Sequence, residues 1–499
     1  MVFSDPIFLL GFLPATLLIF HAMRFTVGGT AAVAALVAMS MLFYAYWSIP
    51  FLLLLLAQIG GNYALATRLE KTQDSRTLAL AVCANLCILG YFKYRNFFLE
   101  TVADAAGVRL HLESLIVPLG ISFHTFQQIA LLVDVKNRSA KVPPLLNYIF
   151  FVLFFPQLIA GPIVLHREMG QQVAAVRNGV GRGLELVGPG VLIFVFGLFK
   201  KVCLADNIAP YADLAFAPGQ TLMMSEAWVG TTAYTLQLFF DFSGYSDMAV
   251  GLALMFGFKL PNNFLVPYAA CSPVEFWRRW HITMMRFFTM YLYTPLWLRM
   301  RRFVRRSPLF GGKPSNAVEF TLTIALPVLV TFFLSGLWHG AGWTFICFGV
   351  THGVGVVVTQ AWTTAGLPSP PRLVGWFLTM LVVLIGAVYF RSNDLAQAHY
   401  VLQQMFVLSS GPSVPDWLAS SLPTRLPVGT FTLFSNFRDT VYCLAWTALL
   451  APLSVLLPPL AADPEAIIPS RAKAMAAAAA VWLIIGMIGE PRTFLYFAF

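Results

Sequence analysis

The sequence predicts an all-α, polytopic integral membrane protein, and three observations carry that expectation. Hydrophobic residues make up 58% of the 499 and charged residues only 11%, with a mean hydropathy of +0.74. A chain this apolar has lipid rather than water as its solvent. Several apolar runs reach the ~20 residues that cross a hydrocarbon core as a helix. The runs are continuous rather than alternating, which excludes a membrane β-barrel, whose strands alternate apolar and polar residues.

Apolar segments fall near residues 7–23, 31–59, 78–99, 112–133, 146–165, 186–204, 226–256, 318–338, 342–362, 373–390, 438–460 and 474–489. They set the expectation of a single transmembrane domain over 1–499 with roughly ten to twelve crossings. The first run is too long and too weakly basic for a cleaved signal peptide, so it is read as a span. The stretch from Ser409 to Asn436 is rich in Pro, Ser and Thr and is expected to be an extramembrane loop. No repeated halves are visible, which argues against a transporter or flippase of the repeat-built kind.

A net charge of +10 points to nucleic acid only if the chain is imagined in water; in a membrane protein the excess belongs to cytoplasmic loops. No nucleic-acid partner is expected. The densest cluster, Arg299, Arg301, Arg302, Arg305, Arg306 and Lys313, reads with the helix before it as an interfacial helix and basic cytoplasmic loop over 275–313, in contact with anionic lipid headgroups. Lys200 and Lys201 are read in the same manner, as the basic end of an apolar helix. The six cysteines, at 83, 87, 203, 271, 347 and 443, show neither metal nor redox spacing. Cys83 and Cys87, one helical turn apart, are expected to be buried thiols.

Polar residues inside apolar segments mark candidate sites, because each is costly in hydrocarbon. Val117–Val135, VPLGISFHTFQQIALLVDV, carries Ser122, His124, Gln127 and Gln128. Either they face a wet cavity or they join helices by hydrogen bonds. In FPQLIAGPI, Phe155–Ile163, the Gly161-Pro162 pair must break the helix and free backbone groups that need partners. Asp241 and Asp247 stand in DFSGYSDMAV; ion pairs that lock helices together are the commoner use of such carboxylates, and no metal site is expected. In EFWRRWHITMMRFFTMYLYTP, Glu275–Pro295, helical spacing puts Trp277, His281, Met284 and Phe288 on one stripe. That places a histidine on the apolar side.

The stretch FFLSGLWHGAGWTFICFGVTHG, Phe332–Gly353, carries His339 and His352. A neutral imidazole passes protons near physiological pH, and it also serves as a hydrogen-bonding link between helices. For His339 the neighbouring Trp338 wall and the Gly340-Ala341-Gly342 break favour chemistry, with backbone amides free to donate. For His352, which has no second signal beside it, the structural role is favoured.

With these residues quoted, the chain resembles the membrane-bound O-acyltransferases, in particular the bacterial branch that contains the alginate O-acetyltransferase membrane subunit. The likeness runs through PLGISFHTFQQIALLVDV, FFPQLIAGPIV with His166-Arg167-Glu168, GLFKKVCLAD, YTLQLFFDFSGYSDMAVGLALMFGFKLPNNF, FWRRWHIT, SGLWHGAGWTF and the closing FLYFAF. It implies a ring of tilted helices around a central substrate tunnel, with His339 of the Leu-Trp-His-Gly motif catalytic and His281 of the Arg-Arg-Trp-His motif the second functional position. The same motifs imply Trp280, Asn263, Ser335 and Trp338 as substrate-binding positions. The implied donor is acetyl-CoA or another thioester, with no tightly bound cofactor. The implied partners are an extracytoplasmic transfer protein and an exported polysaccharide, and the implied location is the inner or plasma membrane. D-alanyl transfer to teichoic acid and acylation of a lipid are the alternatives with the same chemistry. Three departures from the branch pattern leave both histidines intact and bear on the acceptor: Thr289-Met290 before Tyr291, Trp297-Leu298-Arg299 in place of a Gly-Gly turn, and Ala498 in place of a final Gln.

Overall fold

Helix after helix follows with no strand among the described residues, as a chain in lipid requires, since each helix satisfies its own backbone. The computed structural model describes residues 2–108, 110, 112–179, 183–307, 315–407, 437–456, 470–487 and 494–495. The expected loop at 409–436, Lys313 and Ala498 lie outside these residues.

A π-helical turn at Phe8–Phe12 runs into α1 (Leu13–Thr26), and Gly28, at φ +125°, turns the chain into α2 (Gly29–Ala45). The apolar run expected over 31–59 is therefore two helices. Ser48 ends it by accepting the Phe51 N–H at 3.4 Å and starts α3 (Ile49–Thr72), with Pro50 in the first turn. Asp74 caps α4 (Ser75–Leu89) through the Arg76 and Thr77 amides. A π-helical turn at Gly90–Tyr94 joins α4 to α5 (Arg95–Ala105). Gly120, at φ +70°, opens α6 (Ile121–Lys136).

Next come α7 (Leu145–Leu153), the single turn α8 (Phe155–Leu158) and α9 (His166–Arg177). The break expected at Gly161-Pro162 is present, and protein groups satisfy what it frees. The Ile163 N–H donates to Thr283 Oγ1 at 2.9 Å and the Ile163 carbonyl accepts from Arg286 at 3.1 Å. Arg286 also clamps Glu168 at 2.5 and 2.9 Å.

Helix α10 (Val187–Phe199) continues through a π-helical turn at Lys200–Ala205 into α11 (Asp206–Ala215). It packs on the central helix α12 (Met224–Met255), in which every residue from Phe239 to Met255 is buried. After α12 come α13 (Pro273–Arg279), α14 (Ile282–Phe288), α15 (Thr294–Arg306), α16 (Asn316–Phe320), α17 (Leu326–His339) and α18 (Trp343–Thr364). The chain closes with α19 (Arg372–Arg391), α20 (Leu395–Phe406), α21 (Phe437–Leu456) and α22 (Arg471–Met487).

Among the described residues seven stretches are long and apolar enough to cross a bilayer: Phe8–Thr26, Ile49–Thr72, Ser75–Ala105, Leu184–Ala215, Asn316–His339, Trp343–Thr364 and Arg372–Arg391. That is fewer than the sequence suggested. Two of the expected segments fall outside that set: 146–165 is broken into α7 and α8, and 226–256 is α12, a long helix whose Glu226, Asp241, Asp247 and other polar residues lower its hydropathy.

Glycines let α10 and α12 touch. A Cβ added at Gly197 would lie 2.7 Å from the Gly244 carbonyl, and one at Gly190 would lie 2.7 Å from that of Gly251. Pairs of small residues at helical spacing bring backbones together in just this way. The contact carries two ion pairs, Lys200 to Asp247 and Lys201 to Asp241, both at 2.6 Å, with Asp206 on Lys201 at 2.7 Å. This corrects the reading of the lysines as a basic helix end: they sit mid-span, and the aspartates lock helices. Asp241 also accepts the Leu495 N–H at 3.0 Å.

Gln128 likewise joins helices. Its Oε1 accepts from Asn62 and from Tyr148, both at 3.0 Å, and Asn62 and Asn85 exchange bonds of 2.6 and 3.1 Å. Cys83 and Cys87 are exposed on the surface of α4 rather than buried, and all six cysteines are free thiols.

The Lys201 and Asp241 side chains are each 2% exposed, so removing one partner strands the other. Lys201→Met should destabilise the protein by about 3–5 kcal/mol, seen as a lower melting temperature of the detergent-solubilised chain, and Lys201→Met/Asp241→Leu should recover part of that loss.

Candidate active site

Helix α17 ends at His339 because the chain turns away there into Gly340-Ala341-Gly342 and returns as α18. The two helices meet closely below the turn. A Cβ at Gly336 would lie 2.3 Å from the Phe345 carbonyl, and one at Gly349 would lie 2.2 Å from that of Phe332. Gly340 is small for a different reason from the one expected. A Cβ there would fall 2.1 Å from the Phe345 ring, and the Gly340 and Gly342 amides donate within the turn, to the Gly336 and Gly340 carbonyls at 3.4 and 3.1 Å. Those two amides are engaged, which corrects the expectation that they are free for substrate.

His339 is 5% exposed. Its ring meets Trp338, Phe348 and Phe390 edge to face, with centroids 4.9, 5.5 and 5.2 Å away. Beyond that aromatic collar the residue lines two cavities. One is walled by Lys93, Pro118, Gly120, Ser122 and Trp338, and the other by Thr235, Tyr268, Trp280, His352 and Phe390. His339 belongs to both.

His281 stands between α13 and α14, not within one helix. Its backbone adopts φ +44°, a left-handed conformation that costs a non-glycine residue on the order of 1–3 kcal/mol. The single stripe expected over 275–295 is thus broken at the histidine itself. The bend drives the ring inward until it is fully buried, with Nδ1 3.0 Å from Asn263 Oδ1. The same oxygen accepts the Thr283 N–H at 3.3 Å and the Thr283 hydroxyl at 3.0 Å, while the Asn263 amide nitrogen donates to Ser246 at 3.3 Å. An oxygen that accepts a backbone N–H cannot donate, so the histidine carries its proton on Nδ1 and its lone pair on Nε2. Trp338 lies between the two histidines, 5.9 Å from the His281 centroid.

Of the six residues expected at the site, His339, Trp338 and Trp280 line the cavities. His281 and Asn263 sit one layer behind, and Asn263 orients His281 rather than facing a cavity. Ser335, one turn before His339 and 2% exposed, lines neither cavity, and its Oγ has no hydrogen-bond partner among the described residues. His352 accepts the Trp277 indole N–H at 3.3 Å, as a structural histidine does, and it also lines the second cavity.

Lys93 was missed. Its signal was available, a cation inside the apolar run GYFKYRNFF, where charge is costly and usually functional. Its ammonium donates to the Trp338 and His339 carbonyls at 2.5 and 3.1 Å.

Asn263→Leu removes the acceptor that sets the His281 tautomer. Misplaced catalytic geometry costs up to about 10²-fold, so the variant should lower turnover by about 10- to 100-fold while Asn263→Asp, which keeps an acceptor, should retain more. The rate of the acyl transfer that the resemblance implies, at matched protein abundance, checks this.

The model of the membrane-bound O-acyltransferase family matches residues 68–307. The chain is 37% identical to a peptidoglycan O-acetyltransferase of Helicobacter pylori over 82% of its own length and 80% of the relative's. It is 36% identical to a probable alginate O-acetylase of Pseudomonas aeruginosa over 87% and 80%. A teichoic acid D-alanyltransferase of Streptococcus thermophilus is 25% identical over 57% of the chain and 71% of its own. The chain belongs to the membrane-bound O-acyltransferase family and is a multi-pass membrane O-acyltransferase.

Proposed function

We propose that the protein takes an acetyl group from a cytoplasmic thioester, acetyl-CoA, and delivers it across the inner or plasma membrane for O-acetylation of an exported polysaccharide, with an extracytoplasmic partner completing the transfer. One observation carries this reading: a single imidazole, that of His339, forms part of the wall of two cavities. A donor and an acceptor that approach separately would meet there and nowhere else along the two linings. The names of the relatives, an O-acetyltransferase of peptidoglycan and O-acetylases of alginate, support acetyl as the group and a glycan as the destination.

In this reading His339 acts as general base. It takes the proton of an acceptor hydroxyl while the hydroxyl oxygen bonds to the thioester carbon. The carbon–sulfur bond then breaks, and the proton passes on to the departing thiolate. The Trp338, Phe348 and Phe390 collar keeps water from competing as acceptor. His281, behind Trp338, holds that wall in place.

His339→Ala should lower the acetyl-ester content of surface glycan by about 10²-fold or more, with the protein still present in the membrane at wild-type abundance. A variant that keeps more than about a tenth of the wild-type ester would reject the assignment of this residue. Feeding labelled acetyl-CoA to permeabilised cells separates acetyl transfer from D-alanyl transfer, because only the first carries the label to glycan.

A further inference from the structure

Helix α17 stops in the interior of the protein, where Trp338 and His339 are buried, and its last carbonyls have no partner in their own helix. Three of them find donors on two consecutive residues of another span. Lys93 Nζ donates to the Trp338 and His339 carbonyls at 2.5 and 3.1 Å, and the Tyr94 hydroxyl donates to Leu337 at 3.0 Å. Both donors lie in the π-helical turn Gly90–Tyr94, an irregularity that turns side chains off the regular helical face and that recurs at functional sites.

Tyr94 alone would cap a helix end, as would any neutral donor in Lys93's place. A half-buried ammonium in an apolar span is a costly choice, and when protonated it brings something a neutral donor does not: three N–H bonds and a charge. Two of the three are spent on carbonyls. Among the described residues the third has no acceptor, and Lys93 lines the same cavity as His339, Gly120 and Ser122.

We infer that Lys93 is the oxyanion-stabilising residue of this site, its third N–H donating to the acyl carbonyl oxygen in the cavity beside His339. The inference rests on the acyl-transfer reading of that cavity. When the acceptor oxygen bonds to the acyl carbon, the carbonyl electron pair moves onto oxygen; when the carbon–sulfur bond breaks, it moves back. Charge is present on that oxygen only between those two events. A cation held in place beforehand by two carbonyls stabilises it without having to reorganise. The capping bonds thereby serve to fix the ammonium as well as the helix end.

The test is acetyl-ester deposition on surface glycan in cells that express the full chain, at matched membrane abundance, with His339→Ala as the reference for loss of the site. Lys93→Met should lower the rate by about 10²–10³-fold, the usual cost of one oxyanion donor. Lys93→Arg, which keeps charge and donors, should stand at least about 10-fold above Lys93→Met, and Tyr94→Phe, which removes one cap and no charge, should cost no more than about 5-fold. Should Lys93→Met fail to accumulate, Lys93→Gln, which keeps two N–H donors for the carbonyls and removes the charge, takes its place in each comparison. The inference is overturned if Lys93→Met keeps more than about a tenth of the rate, if Lys93→Arg is no better than Lys93→Met, or if Tyr94→Phe falls as far as Lys93→Met, which would assign the loss to a loosened helix end. If His339→Ala is active the site reading itself falls; if His339→Ala is inactive and Lys93→Met active, Lys93 alone is misassigned.

Discussion

A backbone that stops being helical in hydrocarbon must have its exposed amides and carbonyls answered by protein. That constraint governs the centre of this molecule. Three helices break there, at His339, at His281 and at Gly161-Pro162, and each break is closed by side chains from elsewhere. Lys93 and Tyr94 hold the end of α17, Asn263 and Thr283 hold the bend at His281, and Thr283 and Arg286 hold the buried strand of chain at Ile163. Thr283 serves two of the three breaks at once. The polar residues that seemed extravagant in an apolar sequence are largely the groups that permit these interruptions, and the interruptions are what put imidazoles inside the protein rather than on its surface.

Around this centre the remaining spans are joined by two kinds of contact. Facing glycines draw α10 onto α12 and α17 onto α18 until backbones touch. At that separation charged side chains meet across the contact, and Lys200 pairs with Asp247 and Lys201 with Asp241 at 2.6 Å. Between α10 and α12 close packing and ion pairing occur together, the glycines bringing the backbones into contact and the charges meeting beside them. The Asn62, Asn85, Gln128 and Tyr148 cluster does the same for α3, α4, α6 and α7 without any formal charge.

The class of fold was legible because hydropathy reports the solvent directly. The break at Gly161-Pro162 and the inward turn of His281 were legible too, since proline and a lone histidine in hydrocarbon admit few explanations. The split of 31–59 into two helices was harder to see: Trp47-Ser48 interrupts the run only briefly, and the cap that ends it is a single hydroxyl. Lys200 and Lys201 misled because a basic pair after an apolar stretch looks like a headgroup anchor; Asp206 is close in sequence, but Asp241 and Asp247, which tie the pair to α12, lie 40 and 47 positions away and no local pattern connects them. Asn263 was recognised as a position and misjudged as to its contact, and Lys93 was passed over because its partners are carbonyls, which leave no trace in a sequence.

The left-handed backbone of His281 sets two demands against each other at one residue. Glycine would relax the bend and asparagine would tolerate it, yet neither carries an imidazole. Exchange for glycine would release the strain but empty a fully buried site and take the imidazole donor from Asn263, and such a cavity costs more than the bend.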